Sequence, residues 1–225
     1  MPEWKPQPFW EGQEVFIIGG GHSLRDFDWS LLLNERTIGC NQAFRLGEAV
    51  CDICVFCDSS LIFEKPEPGG GKLKPRAGFY DELSKFRNPV VTNDNALKHR
   101  PEPWLKWMPR RTKGLHHDAL GFNANTGATA INLALILGAK TVYLLGFDMF
   151  LDDKGRPNWH DNLIDKPSNE CYERFLASFG HVSRELPIKF PGCQVFNVTK
   201  KSNLNIFPKL DFDEFWEKRK NKDGR

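Results

Sequence analysis

The run Gly19-Gly20-Gly21-His22-Ser23-Leu24 follows the apolar stretch Glu14-Val-Phe-Ile-Ile18, and it is the first point where the backbone itself can do chemistry. Glycine lets a main chain approach a phosphate closely, and a helix starting after such a turn offers unpaired N–H groups and a positive dipole end. Two well-defined phosphate motifs are nevertheless absent. Leu24 stands where a dinucleotide fold has its third glycine, and the second strand ends in Asn41 rather than an acidic ribose ligand, which disfavours NAD. No Lys-Ser/Thr pair follows the glycines, so the turn is not a P-loop. Further polar residues end other apolar runs: Asn41-Gln42, Asp58-Ser59-Ser60 and Asp148. Parallel strands would place all of these on one edge of a sheet, where α/β proteins bind ligands. Asn125-Thr126-Gly127 opens a run of small and apolar residues, so it can cap a helix and also present donors to an anion. Together these residues predict a nucleotide pocket.

Metal and thiol chemistry is less well served. Cys51, Cys54 and Cys57 are spaced like iron–sulfur ligands. Their segment reads as a strand, in which side chains three apart face opposite ways, so they are expected to be small core residues, as are Cys40 and Cys193. His116-His117-Asp118 is not expected to bind metal, because adjacent side chains diverge on any regular backbone. Asp148 with Asp152 or Asp153 is the group placed to hold Mg²⁺ against a diphosphate.

The elements that must position these residues alternate along the chain. Strands are expected at 14–18, 37–40, 52–57, 89–92, 140–145 and 194–198. Asp28 should cap a short helix over 29–33; 79–86, 128–137 and 168–186 read as helices, with Gly138 ending the second of these. Residues 66–75, with three consecutive glycines, read as a mobile loop. The Pro-, Trp- and His-rich stretch 93–125 reads as an irregular lid or insertion. The expected architecture is a Rossmann-like α/β domain over 1–210, a mostly parallel sheet with helices on both faces, followed by a polar, solvated tail at 211–225.

Bulk properties bound the class. In 225 residues, 40% are hydrophobic, which suits a packed core. No stretch approaches the ~20 apolar residues of a membrane helix, and the N-terminus lacks a secretory apolar region, so a cytoplasmic protein is expected. A net charge of +2 names no partner, and the basic 218–220 run is read as part of a short polar tail that is a solvated helix end. The aromatic residues between Trp104 and Phe122 are expected to cover either the pocket or a contact within a homo-oligomer.

Gly19-Gly-Gly-His-Ser-Leu24, Gly39-Cys-Asn-Gln42, Asp58-Ser-Ser-Leu-Ile-Phe-Glu64, Asn125-Thr-Gly127 and Val142-Tyr-Leu-Leu-Gly-Phe-Asp148 occur in an order and spacing that resembles bacterial CMP-sialic-acid-dependent lipooligosaccharide sialyltransferases. The same motifs resemble the related 6-hydroxymethylpterin diphosphokinase-like family, which includes phage-encoded members. The resemblance covers residues 14 to 200 or so and implies that Gly20, Asn41, Asp58 and Thr126 hold the donor nucleotide and its sugar. Gly20 and Asp58 each stand where the sialyltransferases have asparagine, which disfavours sialic acid as donor sugar. Phe150 and Arg156 stand where that family has two tyrosines near the leaving phosphate, and Arg156 is expected to offset the leaving group's charge. His160 stands where the family places its catalytic base, and histidine suits that task near neutral pH. His22 is expected to cap the phosphate turn.

Three readings are open. The preferred one is a glycosyltransferase that takes a nucleotide-sugar donor, needs no cofactor and uses His160 to deprotonate the hydroxyl of an acceptor, which is a glycan, a modified base or a small metabolite. The second is Mg²⁺-dependent diphosphate transfer from ATP to a hydroxymethyl group, and the third is a non-catalytic nucleotide-binding accessory protein.

Overall fold

Pleating sorts the residues of the first strand, β1 (Glu14–Ile18), onto two faces: Val15 and Ile17 join one hydrophobic cluster, and Phe16 and Ile18 join another. All four are fully buried, as expected of a strand covered on both sides. The computed structural model describes residues 2–64, 74–100, 102–161 and 168–223. The loop expected over 66–75 lies outside them except for its last two residues.

Along the chain, β1 is followed by β2 (Arg36–Cys40), β3 (Ile53–Phe56), α1 (Phe79–Ser84), β4 (Val90–Thr92), β5 (Leu105–Trp107), β6 (Arg110–Arg111) and β7 (Leu120–Gly121). Then come α2 (Thr126–Ile136), β8 (Thr141–Leu145), α3 (Asn169–Lys189), β9 (Gln194–Asn197) and α4 (Phe212–Asp223). Seven strands form a sheet in the order β5-β4-β3-β2-β1-β8-β9 with every described pairing parallel, and β6 and β7 form a separate parallel ladder. The fold is α/β and Rossmann-like. Chain order runs outward from β1 toward β5 and then restarts on the other side at β8, so the crevice at the C-terminal ends of β1 and β8 is a topological switch point.

Helices α2 and α3 cover one face through residues such as Ile131, Leu133 and Phe179. Helices α1 and α4 cover the other, through Leu83 and Trp216. In α2 nearly every side chain from Gly127 to Leu135 is buried, which explains its run of small and apolar residues.

Three expectations need correction. The stretch 93–125 is not simply a lid: Leu105 and Trp107 are buried, Lys106 between them is exposed, and this three-residue alternation supplies the edge strand β5. The tail read as a solvated helix end does form a helix, α4, but one that is packed: Trp216 is buried and stacks on Phe16 at 5.4 Å. Arg219 clamps it, bonding Glu35 at 2.7 Å and Glu14 at 2.8 Å with its guanidinium 4.9 Å from the Phe16 ring. Finally, Cys40, Cys51, Cys54 and Cys57 are buried free thiols, yet Cys51 and Cys54 share one cluster, because Cys51 precedes β3 and escapes its alternation. Burial pushes all four thiols up, Cys57 to about 11.

Among the described residues, no helix is long and apolar enough to cross a membrane.

Candidate functional site

A cleft of ≈ 570 Å³ opens at the C-terminal ends of the central strands. Its walls bring together Gly19, Gly20, Gly21, Asn41, Asp58, Asn125, Thr126, Gly127 and Asp148. A second hollow of ≈ 240 Å³ adjoins it, sharing Gly20, Asn41, Asp58 and Thr126 and adding Gln42 and His160. His22, Ser23, Ser59 and Arg156 do not line the described walls of either.

The glycine turn is built differently from a phosphate cradle. Gly19 N–H donates to Leu145 O at 2.7 Å, Gly21 N–H to Gly146 O at 2.8 Å, and Ser23 N–H to Asp148 Oδ2 at 2.7 Å. The amide of Gly20 has no partner among the described residues, and Gly20 lines the cleft. The turn leads into a 3-10 element over His22–Leu24, too short to carry the dipole of an α-helix. Two of the glycines serve close packing. A Cβ on Gly19 would sit 2.5 Å from Gly146 O, and one on Gly21 would overlap the Asp148 carboxylate, whereas one on Gly20 would meet only the Asn158 side chain, at 3.1 Å. Gly19→Ala is therefore expected to cost about 2–3 kcal/mol in denaturant unfolding, while Gly20→Ala should fold normally and weaken ligand binding. Equal stability of the two variants would refute this division of roles.

Asp148 lies at the centre of the turn. It is 1% exposed and accepts from both the amide and the hydroxyl of Ser23, the latter at 2.5 Å, with His22 Nε2 at 3.3 Å. Burial raises its pKa, opposed by the Ser23 donors and His22. His22, expected to cap the phosphate turn, lies beside Asp148 with its Nε2 making no hydrogen bond among the described residues, and its ring packs edge-on against Phe150 at 4.9 Å.

Asn41, Ala124 and Met149 are the non-glycine residues with positive φ among the described residues, at 55°, 52° and 61°, and all three line the cleft. Such strain persists only where the surroundings over-determine it, and it gathers at ligand sites. The Asn41 side chain accepts from Thr126 Oγ1 at 3.3 Å, joining the end of β2 to the start of α2. Asn125 caps α2 by accepting from Gly127 and Ala128 N–H, so Thr126 and the dipole of this 11-residue helix face the cleft. Asp58 caps a 3-10 turn through Ser60 N–H at 2.9 Å, and the amide of Ser59 is taken by Asp94. Gln42 is buried and its Oε1 accepts from Arg45 at 3.0 Å.

The segment 157–161 lies against the turn: Trp159 N–H donates to Gly20 O at 3.0 Å, its indole to Gly19 O at 3.2 Å, and Arg25 bonds Asn158 O. That places His160 in the second hollow. Burial, with Arg45 and Arg25 nearby and Asp161 opposing, lowers its pKa to about 4, and its Nδ1 is buried without a partner among the described residues. Arg156 is occupied elsewhere, with Nε and N–H both on Asp152 at 2.6 and 2.7 Å. Against a desolvation cost, those bonds hold the Asp152 carboxylate down at about 2.

Of the carboxylates expected to hold Mg²⁺, Asp148 and Asp152 each accept protein donors on both oxygens, and neither they nor Asp153 belong to a group of three or more such ligands among the described residues.

Sequence reasoning missed several cleft residues. Asp94 follows β4 just as Asp58 follows β3, so the rule used for the other strand ends reaches it too. Tyr172 and Phe175 line the wall one helical turn apart on α3, a readable i, i+3 pair. Burial and then Asp148 push the Tyr172 hydroxyl up to about 12. Arg110, from the stretch read as a lid, carries no local signal, whereas Phe122 is one of the aromatic residues expected to cover the pocket or a subunit contact, and it lines the cleft.

Sequence comparison finds no matching family profile and no curated relative. Likeness appears in the fold. The MAf glycosyltransferase from Magnetospirillum magneticum AMB-1 superposes with a TM-score of 0.57 at 14% identity over 98% of this chain, which spans only 38% of that protein. The sialyltransferase CstII from Campylobacter jejuni, solved in complex with cytidine-5'-monophosphate, superposes with a TM-score of 0.51 at 16% identity, covering 89% of this chain and 85% of CstII. At such identities the likeness is one of architecture.

Proposed function

We propose that this protein is a nucleotide-sugar-dependent glycosyltransferase in which His160 deprotonates the acceptor. The observation carrying the proposal is the shared wall between the cleft and the His160 hollow. A donor lying in the first and an acceptor entering through the second meet at Asn41, Asp58 and Thr126. Support comes from the switch-point position of the cleft and from the fold shared with two glycosyltransferases, one of them bound to CMP.

The donor phosphate is assigned to the unpaired Gly20 amide, the Thr126 hydroxyl and the N-terminal end of α2. The acceptor oxygen attacks the anomeric carbon, the bond from that carbon to the phosphate oxygen breaks, and the acceptor proton passes to His160. The leaving nucleotide keeps the bonding electrons, and its charge is met by the helix dipole and the Tyr172 hydroxyl, which stays protonated to about pH 12. Arg156 is given no part in this step, because its Nε is held by Asp152 and it does not line the described walls of either hollow.

Thermal unfolding with CMP, UDP, GDP, ADP or ATP, with and without Mg²⁺, tests this reading. A pyrimidine or guanine nucleotide at ~100 times its Kd, without metal, should stabilise by about 2.7 kcal/mol and raise Tm by about 5–10 °C. A shift confined to ATP with Mg²⁺ would overturn it in favour of diphosphate transfer. No shift with any nucleotide would end it.

A further inference from the structure

The cleft has two chemically different ends. Toward β8 and α3 the wall is aromatic, with Phe147, Tyr172 and Phe175. Toward β3 and β4 it is polar and carries Asp58, Asp94, Arg110 and Phe122. In the sheet order β8 lies three strand spacings from β3, about 14 Å. A nucleotide-sugar whose phosphate sits midway, at Gly20 and Thr126, therefore places its base at one end and its sugar at the other. Asp58 also lines the His160 hollow, and the carbon under attack must lie within reach of the acceptor there, so the sugar takes the polar end.

That end is rigid. Arg110 donates from Nε to Asn93 O at 2.9 Å and from Nη2 to Cys57 O at 2.7 Å, leaving Nη1 without a partner among the described residues. Its guanidinium lies 4.1 Å from the centre of the Phe122 ring. Phe122 is 40% exposed, on a strap fixed by its own N–H to Arg111 O and by the buried amide of Asn123 bonded to Gly114 and Gly121. An exposed ring held this firmly at a cleft, with one face covered by a cation, is a platform for a flat, partly apolar partner. Asp94 lies 3.9 Å from Arg110 and takes the amides of Ser59 and Ala96, while Asp58 Oδ2 has no partner among the described residues. The two carboxylates and the guanidinium sum to one net negative charge.

We infer that this end is a subsite for a neutral, hydroxyl-rich pyranose: the Phe122 ring packs on its C–H face, Arg110 Nη1 donates to a sugar oxygen, and Asp58 accepts from its hydroxyls. A sugar carrying its own carboxylate is rejected by Asp58. The inference rests on the glycosyltransferase reading and goes further, to the class of sugar.

Calorimetric titration with matched donors tests it: UDP-glucose against UDP-glucuronate and GDP-mannose against GDP-mannuronate, with free UDP, GDP and CMP as controls. For whichever nucleotide binds, the neutral member should bind about tenfold tighter than the acidic one. Asp58→Asn, which keeps the cap on Ser60, should reduce that ratio to about threefold or less. Phe122→Ala should weaken the nucleotide-sugar by about tenfold and leave the free nucleotide unchanged. An acidic donor bound equally or more tightly overturns the inference alone, as does binding of CMP only. Equal losses of free nucleotide and nucleotide-sugar in Phe122→Ala overturn it too, because the ring would then hold the base. Absence of any nucleotide binding removes the underlying reading, and the inference with it.

Discussion

Under the proposed mechanism, replacing His160 with alanine should lower turnover by about 10²–10⁴ while nucleotide affinity stays within about twofold. The expectation rests on position: the ring lines the smaller hollow, assigned above to the acceptor, but not the larger cleft, so its loss should leave donor binding intact. Its titration supplies the second readout. Burial and the arginines lower the free imidazole from 6.5 to about 4, so the neutral, proton-accepting form persists through mildly acidic solution. The acid limb of kcat/KM, which reports the free enzyme, should therefore fall near pH 4 rather than 6.5. An anionic donor bound next to the ring favours its charged form, so the limb of kcat should lie higher. Stability follows the same sign. Between pH 6.5 and about 4 the unfolded chain holds a proton that the folded ring refuses, so acidification through this window destabilises the fold. His160→Ala should remove that part of the pH dependence. Turnover unchanged in the variant would exclude the ring from the reaction, and an acid limb at 6.5 would contradict its buried setting.

Asp148→Ala should be the most damaging change in the turn. It strips the acceptor from the amide and hydroxyl of half-buried Ser23 and removes the carboxylate 3.3 Å from His22 Nε2, at a side chain 1% exposed. Leaving such donors unpaired costs about 3–5 kcal/mol, read as a lower denaturant midpoint at constant m. Nucleotide binding should be lost as the turn carrying Gly20 relaxes. Asp148→Asn keeps the volume and one acceptor oxygen, so it should cost less than half as much. Alanine and asparagine variants of equal stability would show that the carboxylate does not organise the turn.

Much of the fold was legible because its strands are short, apolar and doubly covered, as in 14–18 and 140–145. The side chains that end them, Asn41, Asp58 and Asp148, fall on one edge by topology alone. What escaped depends on contacts distant in sequence. Arg110 reaches the cleft only because Cys57 and Asn93 hold it, and α4 looked polar because Phe212, Phe215 and Trp216 are few among its charges. The role of Asp148 was hidden for the opposite reason. A carboxylate after a strand reads the same whether it meets a ligand or, as here, the serine of a turn 125 residues away.

That separation bears on how the protein is made. β1 is paired on one flank by β2 and on the other by β8, where Val15 meets Val142. During synthesis the first five strands can assemble while one edge of β1 stays open, an apolar ribbon of unpaired N–H and C=O groups. The edge closes once residues 141–145 have emerged, and the turn is braced three residues later, when Asp148 reaches Ser23. Growing chains that stall earlier should be sticky and lack the braced turn, so chaperone demand ends and the cleft is completed within a few residues of one another.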